Sequence, residues 1–143
     1  MALGNPGNNS PLAYGVLTYG GSVYQPSGVT ISNNTISGVH GAAISLGANT
    51  IAVTVSGNTI SGLVPVLVEG QPFSVGVQAQ FAANVSVTGN TFIGGVSPDL
   101  SDALTAGVNL VSSQGSVSNN NYSGVVGSYF TDNALSNDDG TGY

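Results

Sequence analysis

Six carboxylates and one imidazole are this chain's whole stock of groups that titrate between acid and neutral pH: Glu69, Asp99, Asp102, Asp132, Asp138, Asp139 and His40. General acid–base cleavage of a glycosidic bond needs two carboxyls held about 5–10 Å apart. Within the body of the chain only Asp99 and Asp102 are near neighbours, in a loop-like stretch behind Pro98. They suit a weak calcium contact through oxygen ligands, or, as the plainer reading, a solvated turn. Asp138 and Asp139 sit in the polar run Ser136-Asn137-Asp138-Asp139-Gly140. His40 has no second His, no Cys and no acid nearby in sequence, so it reads as a turn residue rather than a metal ligand or relay. No Gly-x-Ser-x-Gly elbow accompanies the many serines. The residues therefore predict no catalytic set, no metal site and no cofactor.

The missing charges are as informative as those present. Among 143 residues there is no Lys, no Arg and no Cys, and the net charge is −6. Nothing here can neutralise a phosphate, which excludes nucleic-acid binding through the backbone and attraction to anionic lipid. No apolar run reaches membrane-spanning length, since Leu63 to Val68 is short and broken by Pro65. Met1 to Ser10 is polar, with neither a basic start nor an apolar run. Sheet proteins often guard exposed strand edges with Lys, a defence this chain lacks.

A repeated element must position whatever this chain presents. Ser32-Asn33-Asn34-Thr35-Ile36-Ser37-Gly38 recurs as Ser56-Gly57-Asn58-Thr59-Ile60-Ser61-Gly62, as Thr88-Gly89-Asn90-Thr91-Phe92-Ile93-Gly94 and as Ser118-Asn119-Asn120-Asn121-Tyr122-Ser123-Gly124. The anchoring asparagines, Asn34, Asn58, Asn90 and Asn120, are 24, 32 and 30 residues apart, a period that means stacked repeats. Before each motif runs a short apolar–polar alternation ending at Ile31, Val55, Val87 or Val117, the pattern of a half-buried strand. After each turn, Ile36, Ile60, Phe92 and Tyr122 point inward again. A third strand is predicted at Gly15-Val16-Leu17-Thr18, Ala43-Ile44-Ser45-Leu46, Gly76-Val77-Gln78-Ala79 and Gly107-Val108-Asn109-Leu110. Three short strands per coil is the plan of a parallel β-solenoid of about five coils. The stretches Leu63 to Ser74 and Gly95 to Thr105 hold the extra length of the longer repeats, and Asp99 to Ala106 has the composition for a turn or two of helix. The domain reading is one solenoid over 1–143, with a flexible N-terminal segment at 1–12 and a polar, loop-like tail at 131–143.

These repeats resemble those of the parallel β-helix proteins of the pectate-lyase-like superfamily, whose pattern V-T-I-S-x-N-T-I-S-G matches residues 28–124. The resemblance implies an all-β, right-handed parallel β-helix and a column of stacked asparagines at Asn34, Asn58, Asn90 and Asn120. It also frames the catalytic question. The lyases of the superfamily abstract a proton with Arg or Lys, and neither residue exists here. The hydrolases use clustered Asp with a Gly-His-Gly segment and an Arg–Lys pair; Val39-His40-Gly41 and Asp138-Asp139 match fragments of that set, but the basic pair is missing.

Function follows at the same coarse level. The chain reads as a non-enzymatic, extracellular or cell-surface structural protein that associates with itself head to tail into a fibre or sheath, or forms part of a longer adhesin-like rod. An alternative is a carbohydrate-binding module with a ligand face at Tyr14, Tyr19 and Tyr24, supplemented by Phe73 and Phe81, which would make glycan a second partner. Ice binding ranks third: Thr30, Thr54, Ser86 and Ser116 would form one outward row, and Thr35, Thr59, Thr91 and Asn121 another. Single rows on coils of unequal length are expected to match a crystal lattice poorly.

Overall fold

The computed structural model describes residues 15–21, 23–63, 65–68, 71–94, 104–131 and 135–137. The strands wind coil upon coil. The first coil holds β1 (Val16–Thr18), β2 (Thr30–Ser32) and β3 (Thr35–Ser37); the second holds β4 (Ala42–Leu46), β5 (Thr54–Ser56) and β6 (Thr59–Leu63). A short strand β7 (Val66–Val68) precedes the third coil of β8 (Gln71–Gln80), β9 (Val85–Thr88) and β10 (Thr91–Gly94). The fourth comprises β11 (Leu104–Val111), β12 (Gln114–Ser118) and β13 (Asn121–Ser123), and β14 (Val126–Thr131) and β15 (Leu135–Asn137) begin a fifth. Among the described residues there are thus four complete coils and two strands of another.

Each strand pairs in parallel with its counterpart one coil away, which gives three sheets. The first sheet runs β1-β4-β8-β11-β14, the second β2-β5-β9-β12-β15 and the third β3-β6-β10-β13. The exception to parallel pairing is β7, which folds back antiparallel on the start of β8. Register follows the repeat: Ile31 lies beside Val55, Val55 beside Val87 and Val87 beside Val117. Likewise Ile36, Ile60, Phe92 and Tyr122 form one column. The predicted third strand is also in register, with Val16, Ile44, Val77 and Val108 side by side.

These columns are the core. Val55, Ile60, Val77, Val87, Phe92 and Val108 are fully buried, and Ile36 and Tyr122 pack against them partly exposed at the first and fourth coils. Complete burial of one such side chain is worth about 1.5–3 kcal/mol. A coil gains that only when a neighbour covers it, so the stack is stable collectively. Phe92 and Tyr122 stack with ring centroids 5.4 Å apart. Room for the two rings comes from the opposite wall, where Gly15, Ala43, Gly76 and Gly107 share one register. A Cβ at Gly76 would overlap the Phe92 ring, and one at Gly107 the Tyr122 ring.

Two expectations need correction. Leu104 to Ala106, within the stretch given a helical turn, belong to strand β11, because Ala106 is drawn into register with Val75 and buried. Within the segment read as a loop-like tail, Leu135–Asn137 form β15 on the edge of β12. Coil length varies both between the third and first sheets and between the first and second, yet Thr30, Thr54, Ser86 and Ser116 stay in unbroken register. The segment 1–12 lies outside the described residues.

Candidate functional site

The feature the sequence singles out most strongly is the turn between the second and third sheets. The residue before each ladder asparagine (Asn33, Gly57, Gly89 and Asn119) has φ of 57°, 62°, 65° and 55°. Only Gly, and less readily Asn, enters this left-handed region at small cost, which explains why no other residue type appears there. The turn aims the next side chain along the axis. Asn34 donates from both its backbone N and its Nδ2 to Asn58 Oδ1, each at 3.0 Å. Asn58 does the same to Asn90 Oδ1 at 2.9 Å, and Asn90 to Asn120 Oδ1 at 2.9 and 3.0 Å. Each later amide also reaches back: Asn58 Nδ2 donates to Ile31 O, Asn90 Nδ2 to Val55 O and Asn120 Nδ2 to Val87 O.

Chemically this column is a scaffold. Asn58 and Asn90 are buried, and the amides satisfy turn backbone that water cannot reach, where an unmet polar group would cost about 1–3 kcal/mol. The ladder is also directional. Donors point from the first coil toward the fourth, so its ends are unlike. Among the described residues Asn34 Oδ1 accepts nothing, and the backbone N of Asn120 donates to nothing.

The remaining predicted residues do not converge. Tyr19 and Tyr24 are 70% and 68% exposed, but both belong to the single segment between β1 and β2, so they make no coil-on-coil platform. Tyr14 lies outside the described residues. Phe73 packs against the small satellite cluster of Ala42, Val75 and Ala106, whereas Phe81 is exposed at the corner before β9. His40 is exposed. All six acids lie outside the described residues, and among those described no group of three or more His, Cys, Asp or Glu could hold a metal. A shallow, open depression of about 420 Å³ at the margin of the second sheet is lined by Asn84, Val85, Ser86, Gln114, Gly115 and Ser116. Its neutral amides and hydroxyls offer hydrogen bonds and no group that titrates.

Sequence reasoning undercounted the outward rows. Beside Thr30, Thr54, Ser86 and Ser116 runs a second row on the same face, Ser32, Ser56, Thr88 and Ser118. The signal was legible as a Ser/Thr two residues after each first-row hydroxyl, since side chains two apart share a face.

The parallel coils, the core columns and the asparagine ladder define a β-helix, and the comparison with known families agrees. A model of the right-handed beta helix region matches residues 8–138, and the chain belongs to that family. No curated protein and no solved structure matches it.

Proposed function

We propose that this chain is a non-enzymatic structural β-helix of the cell exterior, a length of rod that extends along its own axis. It does so by joining further copies end to end, or as coils of a longer adhesin-like rod. The observation that carries this reading is the polarity of every ladder. The three sheets are parallel and the asparagine column runs from donor to acceptor, so the end that begins with β1, β2 and β3 matches only the opposite end, at β13, β14 and β15. Contact between unlike ends is heterologous and propagates instead of closing. The absence of Lys and Arg supports the same reading twice, because no basic residue guards a strand edge and none offers a cleavage point to proteases that cut after basic residues.

Light scattering over a concentration series, followed by negative-stain electron microscopy, tests this. The expected result is mass that grows with concentration and unbranched filaments one solenoid wide. A strict monomer at high concentration overturns end-to-end joining. Release of unsaturated or reducing sugars from acidic polysaccharides would overturn the non-enzymatic reading separately.

A further inference from the structure

The outer face of the second sheet presents a two-dimensional grid of hydroxyls. Over the four complete coils Thr30, Thr54, Ser86 and Ser116 form one row along the axis, which Asn137 of β15 follows, and Ser32, Ser56, Thr88 and Ser118 form the other. All eight positions bear a hydroxyl, and all are at least partly exposed. The backbone positions that carry them are about 4.8 Å apart along a row and about 6.6 Å apart between rows, the spacings of adjacent strands and of two residues in a parallel strand. The grid is rigid, because its strands alternate these hydroxyls with the buried Ile31, Val55, Val87 and Val117.

The hydroxyls are not used up internally. Ser118 Oγ bonds Thr88 Oγ1 at 3.2 Å, and among the described residues the other six hydroxyls have no hydrogen-bond partner. Each has a donor and two acceptor sites to offer outward. We infer that this face binds ice, holding water in the hydroxyl mesh as part of a growing crystal plane. A rectangular array of neutral hydroxyls, each able to donate and accept, suits an ordered layer of water rather than a single small ligand. Among the described residues no charged or aromatic side chain interrupts the face, and a sugar chain would find no stacking platform there, since the exposed Tyr19, Tyr24 and Phe81 lie in connecting segments. The third sheet is the poorer lattice. Its corresponding rows hold Asn121 and the exposed Ile93, and its register shifts between Ile93 and Gly94. This inference is independent of the axial-extension reading.

Two measurements on the purified full chain test it: partition into a slowly grown ice body, and the gap between melting and freezing points in a nanolitre osmometer. The wild-type chain is expected to enrich in the ice fraction and to open a gap. Thr54→Tyr, which plants a ring in the middle of the mesh, is expected to abolish both while circular dichroism stays unchanged. Thr59→Tyr, on the third sheet, is expected to leave both in place. If Thr54→Tyr does not fold, Thr54→Val keeps the side-chain shape without the hydroxyl and is expected to narrow the gap. Exclusion of the wild-type chain from ice to the same extent as an ordinary soluble protein overturns the inference. Equal loss in the Thr54 and Thr59 variants overturns it as well.

Discussion

The second and first sheets share one chain and one core, yet they tolerate irregularity very differently. In the second sheet each of the four complete coils contributes the same alternation in the same register, with hydroxyls outward and Ile or Val inward. The first sheet absorbs the variation. Its strands range from the 3 residues of β1 to the 10 of β8, and β7 folds back onto the longest of them. The difference lies in what closes each corner. The turn after the second sheet is pinned by asparagine amides that must meet from coil to coil, so its length cannot change. The connection leading into the first sheet carries no such ladder, so residues added there cost little beyond loop closure.

The sharpest way to break this comparison is to add one residue at each place. A single Ala inserted between Gly89 and Asn90 shifts β10 by one position, which turns Phe92 outward and carries Asn90 off its column. Loss of cooperative unfolding in a thermal melt is the expected result. Two residues inserted between Val68 and Gln71 lengthen only a connection, for which loop-closure entropy predicts a cost below about 1 kcal/mol. Equal damage from both insertions would mean that the ladder does not set coil length.

A smaller effect separates the ladder's middle from its end. Asn90→Ala removes the acceptor for Asn58 N and Nδ2 and the donor to Val55 O in a buried turn. Urea unfolding is expected to show a loss of about 3 kcal/mol or more, since several buried polar groups lose partners at once. Asn34→Ala removes the Nδ2 donor to Ser32 O and to Asn58 Oδ1, but Asn58 Oδ1 keeps the backbone N of Asn34 as a donor, and a loss of about 1 kcal/mol or less is expected. If the two variants are equally destabilised, burial is not what gives the ladder its strength.

Much of this architecture was legible in the residues, and what was missed has a common cause. The strands flanking each turn, the inward column from Ile36 to Tyr122 and the asparagine ladder follow from local alternation and from a turn that few residue types can occupy. The strand at Leu104 to Ala106 was not legible, because its local composition suits a helical turn and only pairing with Phe73 to Val75 imposes extension. The second hydroxyl row was present in the spacing but needed coil-on-coil register to become a grid. Least visible was the matching of Gly15, Ala43, Gly76 and Gly107 to the column across the core, which depends on contacts between residues far apart in sequence.

That matching supports the most specific prediction. Where the inward column carries Ile60, the facing wall has Ala43; where it carries Tyr122, the wall has Gly107. In Gly107→Ala the added methyl group meets the Tyr122 ring, and overpacking of this kind costs about 1–3 kcal/mol. Adding Tyr122→Ile reproduces the Ala–Ile combination of the second coil and removes the overlap. The double variant is therefore expected to be more stable than Gly107→Ala alone, a non-additivity that a double-mutant cycle in urea reads directly. Recovery should fall short of wild type, because the ring stack between Phe92 and Tyr122 is lost, worth about 0.5–1.5 kcal/mol. Simple additivity would show that the wall and the column do not constrain each other, and the first sheet would then be as indifferent to its core residues as it is to its loop lengths.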